Sequence, residues 1–465
     1  MLTLYWKNAT AKVVGTRHGI SDADLKRMDK PMTVALEAVV GQCRSGKLGY
    51  AALPRHRAYP AAVKQLVASL KGTTDLVVLG IGGSALGNLA LQAALNPVTY
   101  NLLPDSQRKG PRLFVLDNVD PAMIRDVLDF LGPRLKTTVV NVISKSGETA
   151  ETAAQFMVFR QVLKRKLGAG FAGRIVATTD AARGTLHKIA KADGYEMLVV
   201  PGDVGGRFTV LSQVGLFSAA MCGIDIDELL AGAAAMRRRV ERTPWRKNPA
   251  AVLAAIKHLA FTKKGKVMHV MMPYSNRLYL LADWYRQLWA ESLGKRLGRD
   301  RKVVCTGPTP IKALGTTDQH SQVQLYREGP NDKLTVFLEA ARHPAEVKVP
   351  RMFTGEPGLG YLCGKGIGEL LNAEKTATEY AMAVSKRPTV TIRFDEIRPH
   401  TVGEFIYLYE FTTSLMGELL RINAYDQPAV ELGKQATFAL MGRAGYEDMA
   451  KEIRPFARPD REYLL

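Results

Sequence analysis

The chain has 465 residues, 46% hydrophobic and 23% charged, with 64 Lys and Arg against 44 Asp and Glu for a net charge of +20. That length predicts two or three domains, each able to bury its own core, and the composition is that of a soluble globular protein without low-complexity blocks. The uncharged apolar run Val214–Ile224 is too short for a membrane span, and no membrane partner is expected. Met1–Trp6 shows neither a basic leader nor a cleavage pattern, and a cytoplasmic location is expected. Cys43, Cys222, Cys305 and Cys363 lie far apart and read as reduced thiols. The eight histidines form no His-x-His or His-x-x-x-His pair, so neither a metal nor a metal-dependent hydrolase or isomerase is expected. The basic residues are dispersed, with no run longer than three, as at Arg237–Arg239, which favours a solvated basic surface over a nucleic-acid partner.

Residues 1–70 read as a helical arm, with Ser21 as an N-cap before an amphipathic run to Gly46 and a shorter helix from Pro60 to Gly72. Strands at 76–80, 112–117, 138–144, 174–179 and 196–200 then alternate with helices at 84–95, 121–131, 149–167 and 183–193. Such alternation predicts a doubly wound parallel sheet, whose ligands sit beyond the carboxyl ends of the strands. Helices at 226–242 and 249–263 bracket a boundary marked by Pro244 and Pro249. Alternation resumes with strands at 267–272, 302–305, 334–339 and 389–394 and helices at 278–293, 317–327 and 366–384. Helices from Thr401 to Arg421 and from Pro428 to Met441 close the chain.

The stretch Leu76-Val-Val-Leu-Gly-Ile-Gly-Gly-Ser84 joins a buried strand to a helix through a glycine turn, an arrangement that aims backbone N–H groups and a helix dipole at an anion. Gly80, Gly82 and Ala85 also fit a dinucleotide fingerprint, with Asp117 where a ribose-binding acid would stand. A Walker loop does not fit, because Asn88 stands where its lysine belongs. The second loop, Ser144-Lys-Ser-Gly-Glu-Thr149, offers three hydroxyls and a lysine before a helix, which suits a phosphate monoester or simple helix capping.

Further along, Gly205-Gly-Arg207 carries a permanent cation either toward a developing oxyanion or into a structural ion pair. Trp284, Leu288 and Glu291 share a helix face, so Glu291 is expected to be a desolvated base or an i,i+4 partner of Lys295. His320 can shuttle a proton or be structural, and Lys434 at a helix start can be catalytic or simply solvated.

In order along the chain, Gly80-Ile-Gly-Gly-Ser84, Ser144-Lys-Ser-Gly147, Gly205-Gly-Arg-Phe208, Gln287 to Lys295, Asp318-Gln-His-Ser321 and Gln427 to Lys434 closely resemble the glucose-6-phosphate isomerase (phosphoglucose isomerase) family of the shorter bacterial type. The resemblance implies an α/β fold of two sugar-isomerase (SIS) domains at 71–243 and 244–421, an N-terminal helical arm at 1–70 and a C-terminal helical segment at 422–465. It implies an aldose–ketose isomerase that interconverts glucose 6-phosphate and fructose 6-phosphate through a cis-enediol, without cofactor or metal. Ser84, Ser144, Lys145, Ser146 and Thr149 would hold the phosphate, with Gly83 and Gln287 also at the substrate. Glu291 would move the proton between carbons, Arg207 would stabilise the enediol charge, and Gln427 would bind the sugar. His320, from the partner subunit of a homodimer, and Lys434 would serve ring opening. The sequence departs from the family at Glu148, usually Thr, and at Ala290, usually Gly. Two other classes remain open on the residues alone: a non-catalytic phosphosugar sensor, which would need the serine loops only, and a dehydrogenase, which would leave the second loop unexplained.

Overall fold

The structure is a computed structural model that describes residues 1–465. The chain forms two compact units, Met1–Ala424 and Tyr425–Leu465. The strands in chain order are β1 (Leu2–Tyr5), β2 (Asp75–Leu79), β3 (Arg112–Leu116), β4 (Thr138–Ile143), β5 (Ile175–Thr179), β6 (Glu196–Val199), β7 (Met268–Pro273), β8 (Lys295–Leu297), β9 (Val303–Thr306), β10 (Thr309–Lys312), β11 (Lys333–Arg342) and β12 (Thr389–Glu396).

The first sheet has the order β3-β2-β4-β5-β6 and is parallel throughout. Its central strands β2 and β4 are buried along their whole length, as expected for apolar runs covered by helices on both faces. One side of the core joins Val77, Leu79, Val140 and Val142 to Phe156, Phe159 and Leu163 of the helix Ala150–Leu167. Helix starts follow local chemistry. Asp120 accepts from the Ala122 N–H at 2.8 Å ahead of Pro121, and Asn248 caps Pro249–Lys264 by accepting from Ala250 at 3.1 Å.

Chain order reverses between β2 and β4: β3 lies to one side of β2, and β4, β5 and β6 to the other. A doubly wound sheet opens a ligand crevice at that reversal, beyond the carboxyl ends of the strands. The loops that leave β2 and β4 are the glycine turn and the serine loop. The sheet order alone therefore places these two loops on either side of one crevice.

The second sheet, β1-β12-β11-β7-β10, repeats the plan, with β10 to one side of β7 and β11 and β12 to the other. Its edge holds a strand not among those expected from sequence. Leu2–Tyr5, ahead of the arm's helices, pairs antiparallel with β12, and the Leu2 N–H donates to buried Glu404 at 2.8 Å. The strand expected at 302–305 exists as β9 but is not in the parallel sheet: it forms an antiparallel pair with β8. The neighbour of β7 is instead β10, which begins at Thr309, seven residues beyond the expected start at 302. The helix expected at 317–327 is broken into a 3-10 turn, Thr317–His320, and a short helix, Val323–Glu328. No helix is long and apolar enough to cross a membrane. The second unit contains the helices Val430–Leu440 and Glu447–Ala457.

Candidate active site

The glycine turn after β2 closes as a 3-10 turn, Gly82–Ser84, and the helix Leu86–Leu95 follows, so Ser84 precedes the helix by two residues instead of opening it. Gly83 is required by contact. A Cβ at this position would lie 2.2 Å from the carbonyl carbon and oxygen of Gly206, so the glycine turn is seated directly on the turn Gly206–Phe208 that bears Arg207. Gly82 takes a left-handed φ of 58°, and a Cβ there would come 2.8 Å from Nε2 of Gln287. Two glycines thus bring the first loop against both Arg207 and the helix Tyr279–Leu293.

Arg207 is 2% exposed. Its Nε donates to Ser292 Oγ at 2.7 Å, Nη1 to Glu291 Oε2 at 3.1 Å and Nη2 to the Ala424 carbonyl at 2.8 Å. The other carboxylate oxygen of Glu291 accepts from Gln287 Nε2 at 2.9 Å, one helical turn away. Glu291 is not desolvated as expected. Trp284 and Leu288 are buried on the helix, but the carboxylate keeps 32% side-chain exposure and is turned onto Arg207 and Gln287. Lys295 donates to the backbone carbonyl of Glu291. The result is a carboxylate with both oxygens oriented by donors and still open on one side, beside a cation that burial keeps rigid.

The serine loop after β4 is shaped by its own hydroxyls. Ser144 Oγ accepts from the Gly147 N–H at 3.0 Å and lies 3.3 Å from Thr149 Oγ1, while Ser146 Oγ accepts from the Glu148 N–H at 3.1 Å. Thr149 is the N-cap residue of Ala150–Leu167, but its side chain makes no capping bond. Lys145 is exposed and donates to the Gly202 carbonyl at 2.7 Å. Gly147, with φ 76°, presses on Leu186, whose N would be 2.2 Å from a Cβ, and Glu148 Oε1 accepts from Thr185 Oγ1 at 3.1 Å. The loop is therefore locked to the start of the helix Thr185–Asp193, and the Glu148 carboxylate is drawn to that side.

His320 ends the turn after β10 and is exposed. Asp318 shapes this turn by accepting from the Leu314 N–H and the Ser321 hydroxyl, both at 2.6 Å, and Tyr274 donates to Gln319 at 2.5 Å. Burial would raise the Asp318 carboxyl, but hydrogen bonds from Ser321, Gln322 and Leu314 outweigh it and hold the group below the usual range. Gln427 and Lys434 belong to the second unit, where Lys434 pairs with Glu431 at 2.8 Å and is half exposed. Hydrogen bonds thus gather Arg207, Glu291 and Gln287, with Gly82 and Gly83 packed against Gln287 and the Gly206–Arg207 backbone, while the serine loop leaves the neighbouring strand of the sheet. Ser292 and the Ala424 carbonyl, which hold Arg207, were not singled out from sequence. Ser292 had only its place beside Glu291 as a signal, and a backbone carbonyl has none.

Two wound sheets, a crevice flanked by glycine and hydroxyl loops, and a carboxylate set against a buried guanidinium define an α/β enzyme of the sugar-phosphate isomerase class. The relatives narrow this further. The chain belongs to the phosphoglucose isomerase family, whose model matches residues 64–451. It is 45% identical over 453 residues to a glucose-6-phosphate isomerase of Carboxydothermus hydrogenoformans, covering 96% of each chain. It is also 45% identical over 414 residues to one of Rubrobacter xylanophilus, covering 88% of this chain and 93% of that protein. Among solved structures, a hypothetical protein of Thermus thermophilus superposes with a TM-score of 0.83 at 35% identity, covering 96% of this chain and all 100% of that one. A glucose-6-phosphate isomerase of Chlamydia trachomatis shares the fold with a TM-score of 0.80 at 22% identity, over 98% of this chain and 91% of that one.

Proposed function

We propose that this chain interconverts glucose 6-phosphate and fructose 6-phosphate, with Glu291 as the base that carries the proton between C2 and C1. The observation that carries this reading is the Arg207–Glu291–Gln287 cluster seated on the glycine turn. In the open-chain aldose, Glu291 takes the C2 proton, the electrons of that C–H bond form the C1=C2 bond, and the C1=O π pair moves onto O1, giving the enediolate of a cis-enediol. The protonated Glu291 then returns the proton to C1 as the O2–H proton passes to O1 and the carbonyl forms at C2, so no atoms or electrons are gained or lost. Arg207 offers fixed positive charge to the enediol oxygen as negative charge develops, which needs no rearrangement at the moment of reaction. Gln287 donates to the other oxygen of Glu291 and so fixes the direction in which the carboxylate faces.

Ser84, Ser144, Lys145, Ser146 and Thr149 hold the phosphate, remote from the reacting carbons, so that its binding energy orients them toward Glu291. His320 and Lys434 open the ring, and Gln427 binds the sugar. His320 comes from the partner of a homodimer, its exposed place on the turn after β10 being compatible with reaching another subunit. The two SIS domains span 71–243 and 244–421. Location in the cytoplasm and independence of metal belong to the same proposal.

A coupled assay with fructose 6-phosphate tests this reading. Turnover is expected to persist in EDTA and to be lost in Glu291→Gln and His320→Gln homodimers, then to return when the two variants are refolded together and one intact site per mixed dimer forms. Loss of wild-type turnover in EDTA contradicts the metal-free mechanism, and no recovery on mixing contradicts the shared site.

Glu148 carries a separate expectation. Its carboxylate adds negative charge to a loop that must accept a phosphate dianion, although Thr185 draws it aside. Glu148→Thr is expected to lower KM about two- to fivefold with little change in kcat, as one exposed charge is removed from the field of the ligand. An unchanged or higher KM would show that the carboxylate does not act on the phosphate.

A further inference from the structure

We infer that Ser292 is a positioning residue for the proposed reaction, its hydroxyl holding the plane of the Arg207 guanidinium so that Nη1 faces Glu291 without closing over it. This rests on the assignment of Glu291 and Arg207 made above. Ser292 is 0% exposed and lies in the last turn of Tyr279–Leu293, where an apolar side chain would otherwise satisfy the helix and the core. Its Oγ instead accepts from Arg207 Nε at 2.7 Å, across 85 positions of sequence.

A guanidinium is planar, with its five N–H bonds in fixed directions. Once Nε is anchored on Ser292 and Nη2 on the Ala424 carbonyl, the direction of Nη1 follows, and it points at Glu291 Oε2 from 3.1 Å. Glu291 is pinned from the other side by Gln287. This matters because the strongest geometry available to an arginine beside a carboxylate is the two-pronged one, with parallel N–H···O bonds to both oxygens. In that geometry the cation would hold both oxygens itself and neutralise the base most strongly. Ser292 holds Nε, the outer prong of the side-on fork, and together with the Ala424 carbonyl on Nη2, which belongs to both forks, leaves Glu291 a single bond, from Nη1. The hydroxyl thus keeps the cation close enough to stabilise the enediol and the carboxylate free enough to accept a proton.

The test is steady-state kinetics on the full-length protein, with Ser292→Ala, Ser292→Cys and Ser292→Thr beside Arg207→Ala and the double variant Arg207→Ala with Ser292→Ala. Cysteine keeps the shape of serine, slightly enlarged, but is a weak acceptor, and threonine keeps the oxygen. Alanine and cysteine are expected to lower kcat about ten- to a hundredfold with KM held within about twofold, as for loss of a transition-state contact made through a charged group. Threonine is expected to recover most of kcat, and the double variant to be no slower than Arg207→Ala alone. If Arg207→Ala itself keeps wild-type kcat, the reading of the site fails. If Arg207→Ala collapses while alanine and cysteine at 292 keep wild-type kcat, or their losses add in full to it, the Ser292 inference alone is overturned. A change in thermal midpoint with kcat intact would make Ser292 a packing residue and would overturn the inference equally.

Discussion

Replacing Glu291 by glutamine is expected to lower kcat about 10³- to 10⁴-fold while KM changes only a few-fold, the range for loss of a positioned general base. The amide is nearly isosteric, so Gln287 and Arg207 keep a side chain of the same shape between them, but it takes up no proton at neutral pH. Arg207 keeps its bonds to Ser292 and to the Ala424 carbonyl, so the buried guanidinium stays in place and the fold persists. Binding is expected to survive because the residues proposed to hold the phosphate, on the loops after β2 and β4, are left unchanged. Steady-state kinetics with a thermal unfolding control separates these effects. A kcat within about tenfold of wild type would remove Glu291 from the proton path.

The largest stability effect is expected at Lys257, which the reaction does not use. This side chain on the helix Pro249–Lys264 is 0% exposed; its Nζ donates to Tyr285 Oη at 3.2 Å and lies over the rings of Trp289, at 4.4 Å, and of Tyr285 and Tyr409, at 5.1 and 5.8 Å. Burial lowers its pKa from 10.5 to about 7. Between about pH 7 and 10 the unfolded amine is protonated and the folded one is not, so unfolding takes up a proton and stability rises with pH across that window. Below about pH 7 the amine is charged in both states and the whole cost of burying it is present, at most about 5 kcal/mol. Lys266, lowered to about 8 by burial and then by Arg387, contributes a slope of the same sign. Lys257→Met fills the same space without a titrating group. It is expected to raise the thermal midpoint at pH 7 by roughly 3–6 °C and to flatten most of the rise toward pH 10. A midpoint that falls, or a slope that remains in full, would show that the charged amine is compensated within its aromatic surround.

Much of the scaffold was legible because local patterns coincided with global ones. Leu76–Leu79 is too short and too apolar for an amphipathic helix, and it is a fully buried strand; the helices expected at 121–131 and 249–263 exist as Pro121–Leu131 and Pro249–Lys264. The strands that escaped notice are short and lie at edges. Leu2–Tyr5 pairs on one side only, and Val303 and Val304 are 62% and 44% exposed in the small hairpin, so alternation carried little signal there.

The site was legible as residue types and not as contacts. The glycine turn and serine loop could be read as anion loops, but their shared crevice follows from the reversal in sheet order, which a list of strands does not contain. The pairing of Glu291 with Arg207 bridges 84 positions, whereas spacing alone offered Lys295, one helical turn away. The desolvation expected of Glu291 failed for the same reason. Helical periodicity places it above Trp284 and Leu288, but the charge of Arg207 turns its carboxylate away from that apolar face toward the open side of the cluster. Gly83 illustrates the converse: a residue expected to bind substrate is also demanded by the backbone of Gly206, a contact invisible until the chain is folded.

The most direct test of Glu291 as a proton carrier is to run the isomerisation in ²H₂O and follow the C1 and C2 positions of both sugar phosphates by NMR. A proton held on a carboxylate that keeps contact with water exchanges in part with solvent. Deuterium is therefore expected at C2 of glucose 6-phosphate and at C1 of fructose 6-phosphate in the wild type, and at neither in Glu291→Gln. Full turnover without deuterium at either carbon would mean that hydrogen passes directly between them, and a Glu291→Gln variant that still incorporates deuterium would mean that another group is the base; either result contradicts the account.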